Sequence, residues 1–125
     1  MTMTTWTDAD LAAVGDAEEI DITAVGSDEP ARRSVTIWVV RVEDDLYVRS
    51  VRGRTGRWFG QAVQSLQGRI RAGGLERDVS FEEPDPSVQA AIDDAYRTKY
   101  ARYSSSVSAM TTPDAIAATF RLLPR

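Results

Sequence analysis

Thr36-Ile-Trp-Val-Val-Arg-Val-Glu43, Asp44-Asp45, Leu46-Tyr-Val-Arg-Ser-Val-Arg-Gly53 and Arg54-Thr-Gly-Arg-Trp58 form one continuous stretch. Its two apolar runs are dense in β-branched and aromatic residues, which pack well on a pleated surface, and the acidic pair between them marks a hairpin. The earlier strand, Ser34 to Val42, is apolar on both parities: Val35, Ile37 and Val39 on one, Trp38, Val40 and Val42 on the other. Such a strand is covered on both faces, as in a barrel that packs a helix or a second subunit outside. The later strand, Leu46 to Arg52, runs into a turn rich in glycine and arginine. Trp58 and Phe59 then open a helical spacing with Ala62, Val63 and Leu66, which Gly68 closes.

That turn lies in a wider segment, Leu46 to Leu75, that holds six arginines (Arg49, Arg52, Arg54, Arg57, Arg69 and Arg71) and no acidic residue, in a chain of net charge -4. Two readings are open. Guanidinium forks, with glycine-exposed N–H groups at a helix start, hold an anion such as a cofactor phosphate. Alternatively the arginines form a solvated surface whose acidic partners come from elsewhere; all eight charges from Met1 to Ala31 are acidic and suit that role.

Cysteine and histidine are both absent from the 125 residues. Thiolate chemistry, disulfides, imidazole acid–base catalysis and ordinary zinc sites therefore each lack a required part, and no metal is expected. Any reaction falls to a bound cofactor or to Arg, Tyr and Ser groups. Lys99 is the only lysine, and arginine is the bidentate choice for phosphate or carboxylate. A GC-rich coding bias would also enrich arginine, but it would not cluster it. The pI of about 4.8 and the lack of a recognition helix or stacking motif argue against nucleic acid. No apolar run approaches the roughly 20 residues a membrane helix needs, and the N-terminus lacks signal-peptide features, so the expected address is the cytoplasm.

The remaining chain reads in order. The first six residues are expected to be loose, and Thr7 to Asp10 caps a short helix carrying Leu11 and Val14, stopped by Gly15. Glu19 to Val25 alternates as a strand, and Gly26 to Arg33 turns. Gly68 to Ala72 and Leu75 to Glu82 pair around Gly73-Gly74. Asp85 and Pro86 start a helix that runs through Ile92, Tyr96, Tyr100 and Tyr103, with Asp93 and Arg97 as an i,i+4 pair. The tyrosine stripe reads as a packed seam. Ser104 to Ser108 reads as a flexible loop or lid, and Ala117 to Leu123 as the last strand. The fold expected is α+β, mostly β: a single domain over residues 1–125, built as a six-stranded antiparallel split β-barrel with flanking helices, since closure leaves no sheet edge exposed. The doubly apolar strand and the surplus of aromatic side chains predict a homodimer.

The strings Trp38-Val-Val-Arg-Val42, Leu46 to Gly53, Gly56-Arg-Trp58, Gly68 to Ala72, Asp78-Val-Ser-Phe81, Ile92 to Tyr100 and Leu122-Leu-Pro-Arg125 resemble the bacterial domain-of-unknown-function family 2255. More remotely, the arrangement is similar to flavin- and deazaflavin-binding split barrels, the pyridoxamine-phosphate-oxidase-like and nitroreductase-like groups. Those carry one glycine and arginine turn before the second strand and another after the third. Here Gly26 to Arg33 stands at the first place and Ser50 to Gly53, with Trp58-Phe59, at the second. The resemblance implies FMN or a deazaflavin as cofactor, with Arg33, Arg49, Ser50, Arg52, Gly53 and Arg57 near its phosphate and Trp58 bordering the ring. Asp28, Glu29 and Pro30 depart from the pattern, since carboxylates beside a phosphate repel it. An oxidoreductase using such a cofactor is one functional expectation. A non-catalytic module that binds another anionic metabolite or a protein partner is the other.

Overall fold

The computed structural model describes residues 6–24 and 34–125. Helix α1, Asp8–Gly15, begins where expected: the Thr7 hydroxyl accepts a hydrogen bond from the Asp10 N–H at 3.1 Å. Trp6, placed among the loose residues by sequence, is instead buried, and its indole N–H donates to the Leu122 carbonyl at 2.9 Å. A large apolar ring with a satisfied donor is enough to dock a chain end.

Seven strands follow: β1 (Ile20–Ala24), β2 (Val35–Ile37), β3 (Val40–Val42), β4 (Asp45–Arg49), β5 (Gln67–Ala72), β6 (Leu75–Glu82) and β7 (Thr119–Pro124). They form one antiparallel sheet in the order β2-β1-β5-β6-β7-β4-β3. Its edge strands β2 and β3 are consecutive in the chain, separated only by Trp38 and Val39. A single covalent segment therefore joins the two ends of the sheet, which curls into a split barrel. Seven strands replace the expected six because the segment read as one strand bends at Trp38-Val39. One half pairs with β1 through Ile20↔Ile37, and the other pairs with β4 through Val40↔Tyr47.

The alternating parities of that segment serve two separate cores. Val39 joins the barrel interior with Ile22, Val48, Ile70 and Val79, where Phe59 and Phe81 each stack on Phe120 with ring centroids 4.5 and 5.3 Å away. Val40, with Trp38 and Val42 against it, faces an outer layer of Tyr47, Ile92, Tyr96, Tyr100, Val107 and Met110. Helix α3 (Gln89–Lys99) supplies that cover, so the outer face is closed by a helix of the same chain. The tyrosine stripe is part of this packing: Trp38 lies flat on Tyr100 at 3.9 Å. The Tyr100 hydroxyl donates to the Glu18 carbonyl and accepts from the Val39 N–H.

Several local expectations change. Helix α2 (Arg57–Ser65) ends on Leu66 in the left-handed region, φ 56°, while Gly68 lies inside β5. Ser104–Met110 is helix α4 rather than a loop, because Val107 and Met110, three apart, bury on the outer layer and leave the serines outside. A short helix α5, Pro113–Ala117, was not read from the sequence; the Thr112 hydroxyl caps it by accepting from the Ala115 N–H. Asp93 does not pair with Arg97, which bonds Asp94 instead. Asp93 is taken by Arg49.

Candidate functional site

Because β2 pairs with β1 and not with β4, the barrel opens along the free side of β2. A cavity of about 390 Å³ lies there. Val35, Thr36, Ile37 and Trp38 make one wall, with Glu19 at their side. The exit of β4 and the start of α2 make the other: Arg49, Ser50, Val51 and Arg52, then Gly56, Arg57 and Trp58. Met110, at the end of α4, completes the lining.

Five of the residues singled out from sequence therefore share this cavity: Arg49, Ser50, Arg52, Arg57 and Trp58. Gly53 is buried and outside the lining; its φ of +69° turns the chain, and a Cβ there would lie 3.2 Å from that of Asp114. Arg33 and the turn containing Asp28 and Glu29 lie outside the described residues.

The six clustered arginines divide sharply. Arg69 and Arg71, on β5, are exposed and bond Asp78 and Glu76 of β6. Arg54 donates to Glu83 and to the Ala117 carbonyl, which ties the turn at Gly53–Thr55 to the end of β6 and to α5. Arg49 is 1% exposed, and each of its guanidinium nitrogens has a partner. Its Nε donates to the Thr119 hydroxyl at 3.1 Å, one terminal nitrogen to Asp93 at 2.6 Å and the Met110 carbonyl at 3.0 Å, and the other to the Gln89 side chain at 2.7 Å. For these four, partners supplied by the fold account for the charge. Arg52 and Arg57 are exposed on the cavity wall and have no hydrogen-bond or carboxylate partner among the described residues.

Two further features point the same end of the cavity toward an anion. Helix α2 starts on Gly56, which offers no side-chain cap, so its first N–H groups lack a side-chain acceptor. Ser50 is 2% exposed, and its hydroxyl bonds to nothing among the described residues while it lines the cavity. The two are sterically linked: a Cβ on Gly56 would sit 2.5 Å from Ser50 Oγ, so the bare glycine leaves room for that hydroxyl. A fork of two guanidinium groups, a hydroxyl and a helix start suit phosphate or carboxylate. The apolar remainder, with Trp38 and Trp58, suits a flat ring.

Sequence reading missed the opposite wall, because Thr36 to Trp38 read as a fully paired strand. It also missed Gln89, Asp93 and Thr119 around Arg49. A signal was present: Arg49 shares parity with Tyr47 on a strand face that a helix covers, and a charge there needs a buried partner. Gln89, Asp93 and Tyr96 follow one another at helical spacing on α3.

Over residues 10–122 the chain matches the model of a family described as an uncharacterized protein conserved in bacteria, domain of unknown function 2255. The chain belongs to that family. It matches no curated protein. Solved structures share the fold of this family member at low identity. An FAD-binding protein from Mesorhizobium loti is 14% identical, with 100% of this chain and 93% of that one covered and a TM-score of 0.65. An F420-H2 dependent reductase is 11% identical, with coverage of 85% and 93% and a TM-score of 0.63. HutZ, the heme storage protein from Vibrio cholerae, is 12% identical, with coverage of 94% and 89% and a TM-score of 0.68. The split-barrel resemblance therefore holds at the level of fold. No helix among the described residues is long and apolar enough to cross a membrane.

Proposed function

We propose that the cavity in the split of the barrel binds a flavin or deazaflavin, and that the protein is a cytoplasmic oxidoreductase acting on a small electrophile, with no role at nucleic acid or membrane. The observation that carries this reading is the set of Ser50, Arg52 and Arg57, without side-chain partners among the described residues, beside the uncapped start of α2. These groups bind the cofactor phosphate, and Arg33 and Gly53 belong to the same proposed site from the sequence pattern. Arg49 contributes by fixing the strand exit on which Ser50 stands. Trp58 borders the ring and excludes water. When bound, the cofactor supplies hydride transfer, which a chain without His or Cys leaves to it. Neighbours of the same fold named for FAD and for F420-H2 support the cofactor class.

A homodimer belongs to this proposal. Val35 and Val51 at the cavity, Val63 on α2 and Leu66 at its end are all exposed apolar side chains, and a second copy of the chain would cover them. Light scattering at the monomer mass overturns that part. The test of the cofactor is titration with FMN and with a deazaflavin, followed by absorbance and tryptophan fluorescence. Saturable binding that Arg52→Ala weakens supports the reading; no binding of either at high micromolar concentration overturns it. The second reading, a non-catalytic module for another anionic metabolite, is favoured by the fold shared with a heme storage protein. It predicts Arg52-dependent binding of such a ligand with no response to either flavin.

A further inference from the structure

The cavity carries charge of both signs. Arg52 and Arg57 line the part formed by the β4 exit and α2, while Glu19 lines the part formed by β1 and β2. The pairing of β1 with β2 ends at Ile20↔Ile37, so Glu19 and Trp38 are the residues next to its last pair, and both line the cavity. Trp38 is held flat: Tyr100 stacks on it at 3.9 Å with an interplanar angle of 3°, and the Tyr100 hydroxyl is fixed by the backbone of Glu18 and Val39. A carboxylate next to an immobilised indole is a recognition element for an organic cation, because the ring quadrupole and the carboxylate both attract positive charge and neither competes for the same ligand atoms. Asp16 and Glu18 share with Glu19 the connection from α1 to β1, where Arg102 pairs with Glu18 at 3.5 Å and Lys99 lies over the Tyr100 ring.

We propose that Glu19 and Trp38 make this end of the cavity a subsite for an organic cation, so that the partner molecule of the bound cofactor is an aromatic or alkyl amine or quaternary ammonium compound. The inference rests on the cavity being the ligand site proposed above. The arginine end then holds the cofactor by its phosphate, the Glu19 end selects the cationic second ligand, and Ile37, Val51 and Trp58 add apolar lining to the same cavity. A neutral or anionic second ligand of the same shape is disfavoured, since it lacks the ion–quadrupole attraction to Trp38 and an anion meets Glu19.

The experiment compares benzyltrimethylammonium with neopentylbenzene, its uncharged carbon isostere, by tryptophan fluorescence and ligand-observed NMR, on wild type, Glu19→Gln and Arg52→Ala. Expected is a preference for the cation of about tenfold in wild type, the size of one charge-assisted contact. Glu19→Gln should remove that preference, and Arg52→Ala should leave it in place. Equal binding of cation and isostere, no binding of either, or a preference that survives Glu19→Gln overturns the proposal. Glu19 is exposed and the change keeps its shape, so folding is not at stake. FMN and a deazaflavin titrated in the same samples separate the two claims: cation binding without binding of either cofactor sinks the cofactor reading alone, and cofactor binding without cation selectivity sinks only this one.

Discussion

Arg49 and Arg52 stand at the same end of β4, one buried and the other exposed, and the fold treats them in opposite ways. Arg49 is enclosed by β7, α3 and the end of α4, with every nitrogen turned to an acceptor of the chain. Arg52 keeps its whole fork for whatever enters the cavity. Guanidinium is the same group in both, so residue type does not decide the role. Enclosure does: a planar cation with five donors becomes a cross-link when acceptors surround it and a receptor when one side stays open.

The largest effect separating the two should come from Arg49. Arg49→Ala leaves Asp93 partly buried without its cation and strips acceptors at Met110, Gln89 and Thr119, so a loss of about 3 kcal/mol in stability is expected. Urea denaturation measures it. Asp93→Ala should cost a similar amount, and the double variant less than the sum, since the two side chains act as one pair. A loss below about 0.5 kcal/mol, the range of ordinary surface changes, would place Arg49 with Arg52 and erase the distinction.

How much of this was legible depends on which interactions are local. The barrel was readable because Val39 and Val40 alternate on one short segment, and alternation survives any tertiary arrangement. Its extra bend was not, since one run of β-branched residues looks the same paired on one side or on two. The arginine cluster was visible as a segment without acids, but pairing of Arg69 with Asp78 or of Arg49 with Asp93 depends on strand register and helix docking, which spacing along the chain does not encode. Ser104 to Ser108 misled for a similar reason: the serines are weak helix formers, and the packing of Val107 and Met110 overrides them.

Arg52 should give the next effect, in affinity rather than stability. Arg52→Ala is expected to weaken binding of an anionic ligand about tenfold, one charge-assisted fork, while unfolding shifts by less than about 0.5 kcal/mol because no partner among the described residues uses the side chain. Arg57→Ala should behave likewise, and both losses should shrink at high salt, as an accessible cation is screened. Arg69→Ala sharpens the contrast as an exposed ion-paired control: its partner Asp78 stays solvated, so stability should again move by less than about 0.5 kcal/mol, and anion affinity should not move at all. Equal weakening by Arg69→Ala and Arg52→Ala would mean that overall charge, and not the cavity wall, attracts the anion.

Lys99 occupies the middle ground between the two arginines and should give the smallest effect. Its ammonium donates to the Val39 carbonyl at 2.7 Å and lies over the Tyr100 ring, with no carboxylate in contact among the described residues. Burial pulls its pKa down from 10.5 to about 8, more than Asp16 and Glu18 hold it up. Below pH 8 both the folded and the unfolded chain carry this proton, and the cost of burying the charge is present in full. As pH rises from 8 the folded form releases the proton while the unfolded chain keeps it, so stability should increase. Half-exposed, the group is screened by water, which limits the gain to about 1 kcal/mol. Tyr100 sets the upper end of the window: burial raises its pKa to about 12, so above pH 10 the unfolded chain ionises first and stability falls. Urea midpoints at pH 7.5, 8.5 and 9.5 (about one step either side of the transition) should therefore climb slightly in wild type and stay level in Lys99→Met. A flat wild-type profile would mean that the Val39 carbonyl and the Tyr100 face offset the burial of this charge, which would place Lys99 with the fully satisfied Arg49.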